Sequence, residues 1–214
     1  MMSIFKRFKG EKVAALPEVL NVTIGRSIEI EQMTIKLLPE DSLLDLESTT
    51  LSIVAQGHCD LGEGAHLHRF YPNDDSALIQ MQGGNGIDNV EIDEIMLWTY
   101  LDVSYPSSDT AWLEVRQLIQ NPNYTLENYS AQFERVWFDD SDEKQEPISY
   151  WETVHDNLDG KTPRRIFQSS MLYGRTLSDG SDEMLLINME EPEAGDRCVS
   201  TMIGRNLTQH QFRV

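Results

Sequence analysis

The fold is decided by residues 165–189, which read RIFQSSMLYGRTL-SDGSD-EMLLINM. Two β-rich runs, 165–177 and 183–189, flank a short segment that has Asp179 and Gly180 at its centre. An Asp-Gly pair between two such runs is a strong hairpin signal, because glycine readily adopts the positive φ that tight β-turns need. The stretch therefore predicts two antiparallel strands joined by a tight turn.

Further β-rich segments recur on both sides of this hairpin at a spacing of roughly ten residues, as in antiparallel sandwiches and barrels. They are 27–38 (with a turn or bulge near Gln32), 50–61, 65–71, 76–82, 92–103, 133–138, 148–155 and 198–203. One clear helix is predicted near 108–120, because apolar residues recur there at three- and four-residue spacing after a start signal. The predicted fold class is α+β, predominantly antiparallel β, as a sandwich or an open barrel.

The net charge of the chain limits its partners. The chain has 214 residues with an ordinary hydrophobic content of 40%, but it carries a net charge of −19. A surface this negative repels phosphate, so nucleic-acid binding is not expected. High charge keeps a protein soluble, and it also steers a basic protein partner towards the surface.

The first residues differ in charge from the rest, and they divide the chain into a basic-aromatic segment, 1–16, and a single α+β domain, 17–214. The first twelve residues hold four basic residues and one acidic residue, a net charge of +3. Since the whole chain carries −19, the remaining residues carry −22. The candidates for contact within residues 4–12 are Phe5, Lys6, Arg7, Phe8 and Lys9. Such a segment is either a frayed terminus or a weak, reversible contact to anionic lipid.

The location predicted from the sequence is the cytoplasm. Charge stands near the start of the chain where a signal peptide needs an apolar stretch, and no apolar run approaches the length that spans a bilayer. The two cysteines, Cys59 and Cys198, are far apart and are expected to be free thiols. Weak contact of the N-terminal segment would place the protein at the inner face of the membrane.

The best candidate for a chemical site is a histidine cluster. His58, Asp60, His66 and His68 lie within eleven residues, and a His-x-His pair on a strand points both imidazoles to one face. Two imidazoles with an acidic third ligand are the donors that zinc or iron takes. The alternative is a polar strand face whose histidines bond to each other across a hairpin, with no cofactor.

The common catalytic motifs are absent from the sequence. There is no Gly-x-Ser-x-Gly elbow, and the glycines at 83–86 lack the Lys-Ser/Thr that ends a phosphate loop. His58 and Cys59 are neighbours on a strand, so they point to opposite faces and do not pair as base and nucleophile. No catalytic residue is assigned, and a non-enzymatic protein is favoured.

Several segments together resemble the YjfK-like family of bacterial proteins, a family of unknown function. The segments that carry the resemblance are Ala55–His58, Asp60–Gly64, Leu67–Tyr71, Ser104–Ser107, Arg135–Trp137 and Met171–Arg175. The resemblance covers nearly the whole chain and implies no activity, cofactor or catalytic residue. It implies a cytoplasmic protein often encoded near phage-shock-type, membrane-remodelling proteins.

Three hypotheses follow from the sequence. The first is a non-enzymatic accessory or interaction protein, linked to membrane stress, whose acidic body binds a basic or coiled-coil partner. The second is a small-ligand or metal-binding protein that uses the cluster from His58 to His68. The third is a peripheral membrane protein anchored through residues 4–12. The sequence leaves the oligomeric state open.

Overall fold

The structure, a computed structural model, describes residues 16–84, 91–138 and 142–214. Most of this part of the chain is antiparallel sheet, as the sequence predicted, together with two α-helices and two short 3-10 helices. The strands are β1 Ser27–Ile30, β2 Thr50–Gly62, β3 Ala65–Pro72, β4 Ala77–Gly83, β5 Ile92–Ser104, β6 Asn123–Leu126, β7 Ala131–Arg135, β8 Ile148–His155, β9 Arg164–Thr176, β10 Asp182–Pro192, β11 Cys198–Asn206 and β12 Phe212–Arg213. The helices are α1 Gln32–Lys36, α2 Asp109–Leu118 and the 3-10 turns Glu127–Tyr129 and Gln209–Gln211.

Eight strands close into a barrel, in the order β2-β3-β4-β5-β11-β10-β9-β8, and β8 pairs back onto β2. The closing contact joins Gln56–Cys59 of β2 to Glu152–His155 of β8. The predicted predominantly antiparallel β fold is confirmed, and the closed barrel is more specific than the sandwich or open barrel that the sequence predicted. The closure was not predicted because the closing strands lie far apart in sequence, so no local pattern reveals their pairing.

The predicted hairpin and the predicted helix are both present. β9 and β10 pair from Thr176 and Asp182 to Ile166 and Pro192. The helix α2 begins after Ser108, whose hydroxyl accepts a hydrogen bond from the amide of Ala111 at 3.1 Å and so caps its N-terminus. The segment 27–38 differs from the prediction, because its strand ends at residue 30 and a short helix follows.

The main hydrophobic core lies outside the barrel wall. Outward-facing residues such as Ile79, Leu97 and Ile187 are buried in one cluster with Trp112 of α2 and Val19 of the segment before β1. β1, β12, β6 and β7 extend the sheet beyond the barrel. This outer layer leaves the barrel interior as a separate compartment with its own smaller clusters.

No helix in the described ranges is long and apolar enough to cross a bilayer. Residues 1–15, which include the contact candidates from Phe5 to Lys9, lie outside the described residues. The division into a segment 1–16 and a domain 17–214 stays a prediction.

Candidate ligand site inside the barrel

A buried ion pair occupies the middle of the barrel interior. Arg69 on β3 points inward and donates through Nη1 to Oε2 of Glu152 on β8 at 3.0 Å. Its Nε donates to Gln80 Oε1 at 3.1 Å, and its Nη2 donates to the Tyr150 hydroxyl at 2.7 Å. Arg69 is 1% exposed and Glu152 is 0% exposed. A charge so deeply buried is tolerated only when it is paired and hydrogen-bonded, as this one is.

The carboxylate of Glu152 has two further donors. Tyr71 donates its hydroxyl to Oε1 at 2.6 Å, and Gln168 donates its amide to Oε2 at 2.7 Å. Gly57 on β2 makes room for this group, because a Cβ at that position would lie 1.8 Å from Glu152 Oε1. The close packing fixes the carboxylate in one place.

The hydrogen-bonded network continues across β9, β10 and β11. Ser170 donates to Asn188 Oδ1 at 2.5 Å, and the Asn188 amide donates to Gln168 at 2.7 Å and to Glu190 at 3.2 Å. Ser200 also donates to Glu190, at 3.0 Å. We call this hydrogen-bonded set the polar plug. Its members are Arg69, Tyr71, Gln80, Tyr150, Glu152, Gln168, Ser170, Asn188, Glu190 and Ser200.

The surroundings in the plug favour the charged form of Arg69 and disfavour the charged form of Glu190. Burial opposes the charged form of Arg69, but Tyr150 and Glu152 together raise the pKa of its guanidinium well above the ordinary value. Burial, with the nearby Glu152 carboxylate, raises the pKa of Glu190. In the middle of the barrel the Arg69 guanidinium therefore lies directly against the carboxylate of Glu152, which is its ion-pair partner.

Above the plug lies a cavity of about 290 Å³ at the end of the barrel where β2 finishes and β8 begins. The polar plug forms its floor through Arg69, Gln80 and Tyr150. Its walls are mainly apolar and aromatic, and they include Met96, Trp98, Trp137, Leu172, Met184 and Leu186. A mostly apolar cavity with a few polar groups at one end has the usual make-up of a small-molecule site.

Trp98 has a buried hydrogen-bond donor in this wall. The side chain is 2% exposed, and its indole nitrogen has no hydrogen-bond partner among the described residues. Gly204 on β11 lets the ring lie flat against the wall, since a Cβ there would lie 2.2 Å from Trp98 Cε3. A buried donor left without a partner costs about 1–3 kcal/mol.

A larger groove of about 460 Å³ lies outside the barrel, between β7 and the β9–β10 hairpin. Its polar lining includes Arg175, whose guanidinium is already engaged by Glu183 at 2.6 Å. The groove is also more open to solvent than the barrel cavity. It is a weaker candidate for binding a small molecule.

The histidine cluster lies on the outer face of β2 and β3. His58 is directly opposite His68, and Asp60 is directly opposite His66. His58 Nε2 and His66 Nδ1 are 3.1 Å apart and share a hydrogen bond, and the two rings stack at 5.1 Å. The four predicted residues therefore share one surface, and two of the imidazoles bond to each other across the hairpin.

His68 is the most deeply buried member of this cluster. It is 0% exposed, and neither of its ring nitrogens has a hydrogen-bond partner in the described part of the chain. Burial, reinforced by His58 and His66, lowers the pKa of His68 to about 4. Burial and His66 also lower the pKa of His58. Both imidazoles are thus kept neutral at physiological pH.

No group of three or more His, Cys, Asp or Glu side chains in the described ranges is arranged to hold a metal ion. Zinc or iron at His58, Asp60, His66 and His68 stays a prediction. Both thiols are free, and burial raises the pKa of Cys59 to about 12, so this thiol is a poor nucleophile.

The sequence reasoning missed the barrel interior. Arg69 and Glu152 each stand between inward-facing residues that are apolar or aromatic: Leu67 and Tyr71 around the first, Tyr150 and Val154 around the second. A charged residue in phase with such neighbours was the available signal that it points into the core. The sequence gives no sign that the two are partners.

The fold and the site together define a closed antiparallel β-barrel whose interior is divided into a polar plug and a mainly apolar cavity. The chain belongs to the family described as "Protein of unknown function (DUF2491)", whose model matches residues 4–213. It is 26% identical over 194 residues to the "Uncharacterized protein YjfK" of Escherichia coli (strain K12), covering 89% of this chain and 87% of that protein. No solved structure gives a significant match.

Proposed function

We propose that the protein is a non-enzymatic accessory protein that binds a small, uncharged, mainly apolar molecule in the barrel cavity. The observation that carries the proposal is the cavity of about 290 Å³ with the unpartnered indole N–H of Trp98 in its wall. An eight-stranded barrel has an interior just wide enough to be filled by side chains or to hold one small ligand, and here an unfilled cavity remains beside the polar plug. The polar plug supports the proposal because it closes one side of the cavity.

The chemistry of the floor favours an uncharged ligand. Arg69 has its charge matched by Glu152, so neither is left over to pair with a ligand charge. An anionic group taken into this space would lose its hydration and meet the Glu94 carboxylate, which also lines the cavity, without gaining a counter-ion, which is costly. A carbonyl, ether or hydroxyl oxygen would instead accept from Trp98 or from the amide of Gln82, which lines the same wall.

The other hypotheses stay predictions. A basic or coiled-coil partner of the acidic body is compatible with ligand binding, because the cavity lies inside the barrel. The described residues do not test contact with a membrane through residues 4–12, nor a link to membrane stress. Neither do they test the cytoplasmic location.

A fluorescence titration tests the proposal. N-phenylnaphthylamine is an uncharged aromatic probe that brightens in apolar surroundings, and we expect it to bind the native protein saturably. Leu172→Trp places an indole in the cavity, since Leu172 lines it. This change should weaken binding by at least about tenfold, a loss of about 1.4 kcal/mol.

The matched control is Leu113→Trp on α2, where the leucine is 54% exposed and remote from the cavity. This variant should bind the probe as the native protein does. Circular dichroism and thermal unfolding confirm that both variants are folded. Absence of saturable binding by the native protein would refute the proposal, and so would equal affinity of the two variants.

A further inference from the structure

The barrel wall is split at one seam. β2 runs to Gly62 and β8 starts at Ile148, yet the two strands pair only between Gln56–Cys59 and Glu152–His155. Towards the cavity end, residues 60–62 and 148–151 continue as strands without pairing to each other. In the described part of the barrel, neighbouring strands thus separate here and leave a lateral slot.

The slot adjoins the barrel cavity. It has a volume of about 590 Å³, and its lining includes Leu61, Ile148 and Tyr150, which also line the cavity inside. Its other lining residues, among them Asp60, Ser149 and Trp151, face outward. A molecule that lies partly in the cavity would therefore reach the outer surface through the wall at this seam.

The outer end of the slot is polar and carries both signs of charge. Asp60 accepts from the amide of Gly62 at 2.9 Å. Arg165 lies 4.4 Å from the centre of the Trp151 ring and pairs with Glu193 at 3.2 Å. Since an acid and a base flank the same opening, a ligand group of either sign would meet one attractive and one repulsive neighbour, and neither sign of charge is selected.

Uncharged hydrogen-bonding groups complete the opening. Ser149 and Thr153 contribute hydroxyls to the lining, and His58 contributes an imidazole ring. Hydroxyl groups both donate and accept, so they suit a ligand head that also carries hydroxyls. The strongly negative charge of the whole chain further disfavours an acidic head.

We propose that the ligand is an uncharged amphiphile whose apolar part fills the barrel cavity and whose hydroxyl-bearing head lies in the slot between β2 and β8. This inference rests on the proposed function. It adds the class of the ligand, and it extends the binding site from the barrel cavity into the slot. A ligand of this form matches the two compartments, one apolar and enclosed, the other polar and open.

Competition between amphiphiles of equal chain length tests the ligand class. Monodecanoylglycerol, decanoate and decylammonium are each used to displace N-phenylnaphthylamine from the full chain, below their micelle-forming concentrations. We expect monodecanoylglycerol to displace the probe at a concentration at least about tenfold lower than either charged amphiphile. Equal potency of the three, or a preference for a charged head, would overturn the inference.

A variant at the slot tests the position of the head. Ser149 is exposed and its hydroxyl lies 3.0 Å from that of Ser169, so Ser149→Trp should block the opening from outside. We expect monodecanoylglycerol to bind about tenfold more weakly, while the affinity for N-phenylnaphthylamine stays unchanged. Ser107→Trp, at an exposed turn remote from the slot, is the control.

A photoreactive monoacylglycerol with its diazirine in the head gives an independent reading on the native protein. Labelling should fall on residues 58–61 or 149–153. Labelling confined to Gln82 and Glu94, which line the cavity on β4 and β5, would overturn the slot while leaving the proposed function intact. Unchanged monodecanoylglycerol affinity in Ser149→Trp would do the same. Failure of the native protein to bind the probe at all would instead refute the proposed function.

Discussion

Two neighbouring residues of β3 show how the inner and outer faces of the barrel wall handle buried polarity. Arg69 points inward, and each of its three nitrogens donates to a buried acceptor. His68 points outward, and neither of its nitrogens has a partner within the described residues. Both side chains are essentially fully buried.

The difference lies in the charge that each face can hold. The interior retains a full charge, because Glu152 neutralises it and the remaining donors are satisfied. The outer face has no such partner for His68, so its imidazole stays neutral and behaves as a core side chain. The buried polar groups that have hydrogen-bond partners therefore lie inside the barrel, beside the cavity, whereas the buried histidine on the outer face has none among the described residues.

Removing the partner of Arg69 should cause the largest loss of stability. Glu152→Gln keeps the shape of the side chain but leaves a buried guanidinium without its counter-charge. We expect the free energy of unfolding to fall by about 3–5 kcal/mol, measured by urea denaturation.

The control for this prediction is an exposed ion pair of good geometry. Arg164 holds Asp156 with two hydrogen bonds, at 2.9 Å and 2.8 Å, yet both side chains are about half exposed. Asp156→Asn should cost no more than about 1 kcal/mol. An equal loss of unfolding free energy in Glu152→Gln and Asp156→Asn would contradict the larger contribution that we assign to the buried ion pair.

The buried His68 on the outer face should make the free energy of unfolding depend on pH. The pKa of His68 is about 4 in the folded protein, whereas an unfolded histidine has its ordinary value of 6.5. Below pH 6.5 His68 therefore binds a proton in the unfolded chain, whereas in the folded protein it stays unprotonated until the pH approaches 4. Its contribution to stability is complete above pH 6.5 and is lost as the pH falls through about 4, by up to about 3 kcal/mol.

His68→Leu removes this contribution, so its stability should fall less steeply than that of the native protein between those two pH values. Urea denaturation at a series of pH values measures both slopes. His210→Leu, at an exposed histidine outside the cluster, is the matched control variant. If the free energy of unfolding of His68→Leu falls with pH as steeply as that of the native protein, His68 does not have a lowered pKa in the folded state.

Local pattern predicted much of the fold. The bounds 148–155 of β8 agree with the structure, the β9–β10 hairpin turns at Asp179 and Gly180, and α2 lies within the predicted range. These elements are set by short-range periodicity, capping and turn chemistry, which one sequence displays. The closure of the barrel depends on β2 meeting β8, and no local signal encodes which distant strands pair.

The candidate site was predicted poorly for the same reason. The histidines stand out because their spacing is short, whereas Arg69 and Glu152 are separated by 83 residues. At the sequence level Arg69 appeared only within Leu67–Tyr71, one of the segments that carry the family resemblance. Its role in the polar plug follows from the three-dimensional register of β2, β3 and β8, which brings both side chains to the same level of the barrel.

The four tryptophan indole N–H groups offer the most direct test of ligand binding inside the barrel. Trp98 and Trp137 line the cavity, whereas Trp112 lies in the outer core and Trp151 faces outward. Their signals in a two-dimensional NMR spectrum are assigned by replacing each tryptophan with phenylalanine. Added N-phenylnaphthylamine should move the Trp98 and Trp137 signals and leave that of Trp112 in place. Unmoved Trp98 and Trp137 signals at saturating probe would contradict the account.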